Sequence, residues 1–454
     1  MSLSARLAVH VAARPGAPAL VCAGRTWTYA DFDAEVAVWS ERLAQSGLGR
    51  GQACGWLGHN SVAMLATSFA CARTGILFVP LNWRLTAAEV AALARHAGLA
   101  ACYADLGFEA PKSPGGDAGI GSDDVLLVYT SGTAGAPKGA IHTQAAMLAN
   151  IDTAIDAQAL DNNTRTLAVL PLFHVGGLCI QVLPTLVAGG TVNLHARFDA
   201  GAWLADVQNW RPTTSLLVPA TMRALIGHAQ WPTTDLTSLA FVNAGSSVIP
   251  GQLIDAFHAR AVPVCQVYGA TETGPVTLVL RPEEAVRHAG SAGRPARGVE
   301  VRLVDGEIQV RAANLARGYH REPDAAAFAG GWFRTGDLAR IDADGYFHII
   351  GRLSDRIISG GENIDPAEVE AVALADPAVA EAAVVGVADA RWGEVAVLAV
   401  VLRPAAALNS ERLQVAFAAQ LARFKHPRRV VVVDALPKTA LGKVKKTELA
   451  QHLA

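Results

Sequence analysis

A chain of 454 residues that is 51% hydrophobic and 17% charged is long enough for two or three domains and too apolar for disorder. Its 38 basic and 40 acidic residues leave a net charge of −2, which gives no basic footprint for wholesale nucleic-acid binding. No charge-free apolar run of about 18 residues occurs, so no integral membrane association is expected, and Met1-Ser2-Leu3-Ser4-Ala5-Arg6 lacks the basic-then-apolar order of a signal peptide. In chain order, residues 25–29 alternate like a strand, and a helix opens at Tyr29 with Phe32, Val36, Trp39 and Leu43 near helical period. Ser61 caps a helix over 62–73 that stops at Gly75. Residues 80–85 read as a turn, Thr86 caps a helix over 87–97, and 107–124 is a Gly-, Pro-, Ser- and Asp-rich loop.

Beyond a short apolar strand at 125–128, strands are expected at 166–170, 191–194, 215–218, 239–243 and 262–266. Each precedes a polar, glycine or proline-bearing loop. In open α/β sheets, ligands sit beyond the carboxyl ends of the strands, so the loops 171–177, 219–222, 244–250 and 267–274 are the ones to inspect. Near residue 300 the texture shifts to short strands, at 300–304, 307–311 and 346–350, with a turn at 342–345. Residues 353–454 mix a helix at 366–374 with strands at 383–387, 395–402 and 430–434, the pattern of a small α+β domain. The six cysteines, Cys22, Cys54, Cys71, Cys102, Cys179 and Cys265, form no CxxC pair and sit mostly in apolar surroundings, which fits buried free thiols in a reducing cytoplasm.

The most informative stretch is Tyr129-Thr130-Ser131-Gly132-Thr133-Ala134-Gly135-Ala136-Pro137-Lys138-Gly139. Glycines let successive backbone N–H groups turn toward one point, the hydroxyls add donors, and the lysine adds a mobile positive charge. That is a phosphate cradle. It is not a Walker A loop, because no Gly-Lys-[Ser/Thr] opens a following helix.

Further motifs follow in order: Leu170-Pro171-Leu172-Phe173-His174-Val175-Gly176-Gly177, Ala244-Gly245-Ser246-Ser247, Tyr268-Gly269-Ala270-Thr271-Glu272-Thr273, Arg334-Thr335-Gly336-Asp337, Gly351-Arg352, and Leu436-Pro437-Lys438-Thr439-Ala440-Leu441-Gly442-Lys443. Each is weak alone. As an ordered set they resemble the adenylate-forming superfamily of acyl- and aryl-CoA synthetases, peptide-synthetase adenylation domains and luciferases, over nearly the whole chain. The resemblance implies an α/β fold: a large N-terminal domain (1–352) with mixed or parallel sheets, flanking helices and a small β-barrel-like region, then a small mobile α+β domain (353–454) hinged near Arg352–Ser354. Ser354 departs from the Asp or Lys more common at that hinge. The implied chemistry has two steps. A carboxylate attacks the α-phosphorus of ATP, giving an acyl-adenylate and pyrophosphate, and a thiol then displaces AMP. A carboxylate is already nucleophilic, so alignment and charge screening carry the work.

By the same resemblance Thr130, Ser131, Gly132, Thr133 and Lys138 hold the β/γ-phosphates, Thr271 meets the α-phosphate and Glu272 helps bind Mg²⁺. Tyr268 and Gly269 with the Gly245, Ser246 and Ser247 backbone lie at adenine, Asp337 accepts the ribose hydroxyls, Arg352 contacts ribose or phosphate, and Lys443 is the lysine of adenylation. His174 is read as a pocket residue, not a general base. The acid pocket takes His174, Gly176, Gly177, Thr221 and Gly274. In the thiol step Arg84, Gly360, Gly361, Trp392, Phe424, His426 and Arg428 resemble the coenzyme A site of aryl-CoA ligases, with His426 standing where arginine is frequent. ATP, Mg²⁺ and coenzyme A are thus implied, with a small carboxylic acid as partner, a cytoplasmic location, and a homodimer left open. Mostly small or apolar walls favour an aromatic or medium-chain monocarboxylic acid. Malonate or o-succinylbenzoate stays open should an arginine such as Arg223 reach the pocket, as does loading of a carrier protein.

Overall fold

The computed structural model describes residues 2–105, 107–111, 121, 123–130, 137–322, 326–360, 362–439 and 442–454. Ser131, Gly132, Thr133 and Gly361, named above for ATP and coenzyme A, lie outside the described residues, as does most of the loop read at 107–124.

Helix ends form where local chemistry dictates. Ser61 Oγ accepts from Met64 N at 3.1 Å to start Val62–Thr74, and Gly75 ends it at φ 74°, a left-handed conformation that suits glycine. Thr86 and Glu89 form a reciprocal capping box at the start of Ala87–Ala97. The helix starting at Tyr29 buries Phe32, Val36, Trp39 and Leu43, the positions its periodicity marked.

A nine-stranded sheet has the order Arg294–Pro295, Leu278–Val279, Val264–Tyr268, Phe241–Ala244, Thr214–Leu217, Arg165–Ala168, Thr191–Leu194, Pro18–Cys22, Arg25–Thr28. Its six central strands, from Val264–Tyr268 to Pro18–Cys22, are parallel. All their carboxyl ends therefore face one side. A six-stranded sheet has the order Gly318–Tyr319, Lys138–Thr143, Asp124–Thr130, Leu77–Leu81, Ala53–Leu57, Leu99–Ala104. Here the sequence reading needs correction. Residues 77–81 form a wholly buried strand, so the turn expected at 80–85 begins later. Flanked by parallel neighbours and covered on both faces, this strand shows an apolar run rather than alternation.

The β-rich region near 300 is a four-stranded antiparallel sheet ordered Val299–Val304, Glu307–Ala312, Phe333–Ile341, Phe347–Arg352. The motif at 334–337, which carried no strand reading, lies inside its third strand. In the C-terminal domain a five-stranded sheet packs one face against Pro366–Leu374 and Ser410–Gln420, burying Val369, Val384, Leu398 and Phe417, and the other against Lys446–Leu453, burying Val397 and Leu449. Among the described residues these two apolar clusters contain nothing before Ile357, and the clusters of the larger part contain nothing after Ile349. No helix is long and apolar enough to cross a membrane among the described residues.

Candidate active site

The parallel strands deliver their following loops to one cleft of about 600 Å³. Leu170 and His174–Gly177 follow Arg165–Ala168, Val218 follows Thr214–Leu217, Gly245 and Ser246 follow Phe241–Ala244, and Gly269–Glu272 follow Val264–Tyr268. Thr130 and Lys138 are register partners at the ends of two antiparallel strands, and both line the cleft. Arg334–Gly336 and Arg352 come from the antiparallel sheet, and Leu353, Ser354 and Lys443 complete the wall.

Asp337 is 7% exposed and lies just behind this wall. It accepts from the Tyr268 hydroxyl at 2.8 Å and from Arg352 Nε at 2.5 Å. The hairpin explains the second contact: Asp337 and Arg352 face each other in register, with a bulge between Leu338 and Ala339. The turn carrying Asp337 is held from below by Glu307, 5% exposed, which accepts from Gly336 N at 3.0 Å and Arg334 Nε at 3.2 Å. Burial and the adjacent carboxylate push the Tyr268 phenol well above its usual range. Burial alone would lower the Arg352 guanidinium, but the charge of Asp337 and the bond to it bring the net shift upward.

Glu272 is 9% exposed on the cleft wall, and its Oε1 accepts from the Tyr319 hydroxyl at 2.7 Å. A single carboxylate combined with phosphate oxygens and water is an ordinary Mg²⁺ arrangement. No cluster of three or more His, Cys, Asp or Glu occurs among the described residues. The donor set therefore fits an ion that arrives with the nucleotide phosphates. Lys138 Nζ pairs with Glu322 at 3.2 Å and stands 4.9 Å over the Tyr319 ring.

Lys443 reaches the cleft from a tight loop of the C-terminal domain, where its N–H donates to Thr439 Oγ1 at 3.2 Å and its carbonyl accepts from Thr439 N at 2.7 Å. Gly442, at φ 80°, seats this loop against Ala220, 3.3 Å from where a glycine-to-alanine Cβ would stand. Lys443 as a residue is exposed to solvent. Desolvation by the cleft walls and repulsion from Arg352 still lower its pKa, against the pull of Asp337 and Asp355.

His174 lines the cleft with its Nε2 buried and unpartnered, and burial, aided by the Arg84 charge, lowers its pKa to about 4. The imidazole is neutral at physiological pH, in line with a pocket wall. His142 and His320, each 1% exposed, are likewise held at about 4 by burial. Their sign is common. Between about 4 and 6.5 the unfolded chain binds protons that the folded one refuses, so stability is full above that window and falls as pH drops through it. The thermal midpoint is expected to be level above about pH 6.5 and to decline below it, and His142→Leu should flatten part of that decline. An unchanged slope in the variant would contradict the assignment.

The structure does not bring every expected residue to the cleft. Thr221 is buried with its hydroxyl donating to Val218 O and accepting from Val218 N, both at 2.9 Å, so it caps Pro219–Ile226 and does not line the acid pocket. Gly274 ends the Thr271–Thr273 turn at φ 73°, and a Cβ there would meet Asn314 O at 2.5 Å; it too stays off the wall. Ser247 is exposed beside the wall rather than part of it, and Gly245 and Gly269 permit close packing, since a Cβ would stand 2.5 Å from Val267 O and 1.9 Å from Pro275 O respectively.

Of the residues named for coenzyme A, Gly360, Trp392 and Arg428 meet on the C-terminal domain, off this wall. Gly360, at φ 60°, lies against Trp392, where a Cβ would come within 2.5 Å of the ring. Arg428 and Arg391 stand over the same ring at 5.3 and 5.0 Å. Phe424 is exposed next to Lys425, and His426 Nε2 is 3.1 Å from Leu421 O. Arg84 is separate in sequence and place: its guanidinium lies over Trp83 at 4.8 Å, near His174. Tyr319 and Glu307 were missed by sequence reasoning. Tyr319 sits in a two-residue edge strand that shows no periodicity, and only its place beside Lys138–Thr143 reveals it.

Residues 7–120 and 107–320 match the family model described as AMP-binding enzyme, and 368–443 match its C-terminal domain. The chain is 39% identical to an indoleacetate–CoA ligase of Aromatoleum aromaticum, over 100% of this chain and 98% of the relative. It is 38% identical to a feruloyl-CoA synthase of an Amycolatopsis species, over 96% of each. Among solved structures, the o-succinylbenzoate CoA synthetase of Bacillus subtilis with its acyl-adenylate intermediate superposes with a TM-score of 0.88 at 30% identity, over 98% of this chain and 97% of that one.

Proposed function

The chain belongs to the AMP-binding enzyme family, and from that premise we propose that it is an AMP-forming ligase that joins a planar aromatic monocarboxylic acid to coenzyme A. One observation carries the reading. Lys443 of the C-terminal domain shares a cleft with Lys138, Thr271, Glu272 and Arg352 of the larger part, so cations from both sides converge where an acyl group would meet a triphosphate. Thr130 and Lys138 hold the β/γ-phosphates, Asp337 the ribose hydroxyls, Thr271 the α-phosphate. The acid's carboxylate oxygen attacks the α-phosphorus, the bond to the bridging oxygen of pyrophosphate breaks, and Lys443 and Thr271 steady the charge that builds at the α-phosphate. Held by Glu272, Mg²⁺ would screen the phosphate charge. Arg352 and Asp337 then keep the adenylate in place while the thiol attacks the acyl carbon and AMP leaves.

The domain boundary at 352/353, with the pivot at Ser354 and Asp355, is part of the proposal, supported by the separate apolar cores on either side. Gly360, Trp392 and Arg428 are off the cleft wall while Lys443 is on it, which fits an arrangement poised for adenylation that must rotate before coenzyme A can be used. Phe424, His426 and Arg84 complete the thiol-step assignment. A reducing cytoplasm suits the six free cysteines, and a homodimer stays open to a mass measurement in solution.

For the acid, the wall formed by Leu170, His174–Gly177, Ile180, Leu216–Val218, Val267 and Pro275 holds no charged residue among the described lining, and Arg223 is absent from it. Relatives acting on indoleacetate and ferulate by name support a flat aromatic acid. A dicarboxylate is favoured by one feature, the Arg84 charge felt at His174. A panel of benzoates, cinnamates, arylacetates, C4–C10 acids and dicarboxylates, scored by acid-dependent pyrophosphate release and then by thioester formation, separates the readings. Aromatic monocarboxylates should lead in kcat/KM, and a lead for dicarboxylates would sink the pocket argument.

A further inference from the structure

We infer that Tyr319 is a positioning residue for the pyrophosphate end of the cleft, fixing the carboxylate of Glu272 and the ammonium of Lys138 relative to each other before nucleotide binds. Lys138 opens a strand of the six-stranded sheet and Glu272 lies in the turn Thr271–Thr273 that follows a strand of the nine-stranded one, 134 residues apart by their numbers, 138 and 272. One side chain touches both. Its hydroxyl donates to Glu272 Oε1 at 2.7 Å, and its ring face lies 4.9 Å beneath Lys138 Nζ. A hydroxyl on a carboxylate is a charge-assisted bond, stronger and more directional than a neutral one. An ammonium over a phenol face is held without being consumed as a donor.

The backbone repeats the linkage. Tyr319 pairs with Ala140 on the hairpin that carries Lys138, His320 N donates to Gly139 O at 2.7 Å, and Ala316 N donates to the Glu272 carbonyl at 2.7 Å. Glu272 is thereby tied at both its carboxylate and its main chain to the segment 316–319, whose last two residues form the strand beside Lys138–Thr143. Tyr319 also bridges to Glu322, whose carboxylate pairs with Lys138 at 3.2 Å and 38% side-chain exposure. A part-exposed pair of this kind is weak. A triphosphate can therefore draw Lys138 away from Glu322 at little cost while the ring keeps the ammonium in reach. Preorganisation of this sort lowers the ordering cost of binding.

The inference rests on the reading of Glu272 as the metal carboxylate, and the test separates the two. Mn²⁺ is titrated into the full-length protein with α,β-methylene-ATP, and free Mn²⁺ is followed by electron paramagnetic resonance, for the wild type, Glu272→Gln and Tyr319→Phe. Glu272→Gln should weaken Mn²⁺ binding strongly. Tyr319→Phe keeps the ring under Lys138 and removes only the hydroxyl, so it should weaken Mn²⁺ binding about 10-fold, the size expected for losing a group that orients a metal ligand. Its KM for coenzyme A should match the wild type. Tyr319→Leu, which also removes the ring, should add a loss of affinity for the nucleotide in the absence of metal. If Glu272→Gln weakens Mn²⁺ binding and Tyr319→Phe does not, the role of Tyr319 is overturned and that of Glu272 stands. If neither variant shifts the titration, the metal assignment of Glu272 has failed and the inference falls with it.

Discussion

Lys443→Ala is expected to cut carboxylate-dependent pyrophosphate release by about 10²–10³-fold, the usual cost of removing one group aimed at developing transition-state charge. The reason is geometric. Lys443 is the contribution of the C-terminal domain's 438–444 loop to the cleft, and its ammonium sits within the electrostatic reach of Arg352, Asp337 and Asp355. Two cations facing each other are unfavourable until an anion comes between them. Desolvation by the cleft walls first, and that opposition second, lower the Lys443 pKa in the free protein, and the opposition is relieved as the α-phosphate and the acid's carboxylate arrive. The loop does not depend on the ammonium for its shape, because Thr439 holds the Lys443 main chain through both N–H and carbonyl. Alanine should therefore leave the fold and the thermal midpoint unchanged. The second step provides the control. With synthetic acyl-adenylate supplied, thioester formation should run at close to the wild-type rate, since Trp392 and Gly360 are untouched. Equal losses in both steps would mean that Lys443 acts through general stability or domain position, and an unaltered first step would remove it from the mechanism.

How much of this was legible in the chain depends on whether the information was local. Caps were readable because Ser61 and Thr86 bond to residues three positions on. The cleft-forming loops were readable because each buried parallel strand reads as an apolar run that ends in glycine, proline or polar residues. Even so, observed strands began one or two residues from the expected places: 241–244 rather than 239–243, and 264–268 rather than 262–266. What was not legible was set by partners distant in sequence. Lys138–Thr143 opens with the residues of a loop motif, so its strand character appears only in its pairing with Asp124–Thr130. Phe333–Ile341 contains Gly336 at φ 70°, which breaks the alternation a strand reading needs. Thr221 was expected in the acid pocket, yet its hydroxyl was already claimed by Val218 of its own turn. Glu307 and Tyr319 do their work on Gly336 and Glu272, 29 and 47 positions away, and no spacing rule connects such pairs.

Asp337→Asn should raise the KM for ATP by roughly 10–100-fold, the equivalent of about 1.5–3 kcal/mol for hydrogen bonds made by a charged group, with little change in KM for the acid. Asparagine keeps the shape of the side chain but can accept through one oxygen only, and its amide nitrogen turns a donor toward groups that are themselves donors. Those groups are the Tyr268 hydroxyl at 2.8 Å and Arg352 Nε at 2.5 Å, together with the ribose hydroxyls in the proposed complex. The substitution also takes a negative charge from between two cations. Arg352 loses its pair, and Lys443, which Asp337 helps to keep protonated, should shift further down in pKa. Because Arg352 retains 35% side-chain exposure, water offsets part of the loss, and the fall in thermal midpoint should be modest beside the effect on ATP. The ratio between the two is the discriminating quantity. A large drop in midpoint with normal ATP affinity would make Asp337 a structural clamp between the strand ending at Tyr268 and the one ending at Arg352. Weakened ATP binding in a protein that melts near the wild-type temperature would place its carboxylate on the nucleotide, with Tyr268 and Arg352 serving to aim it.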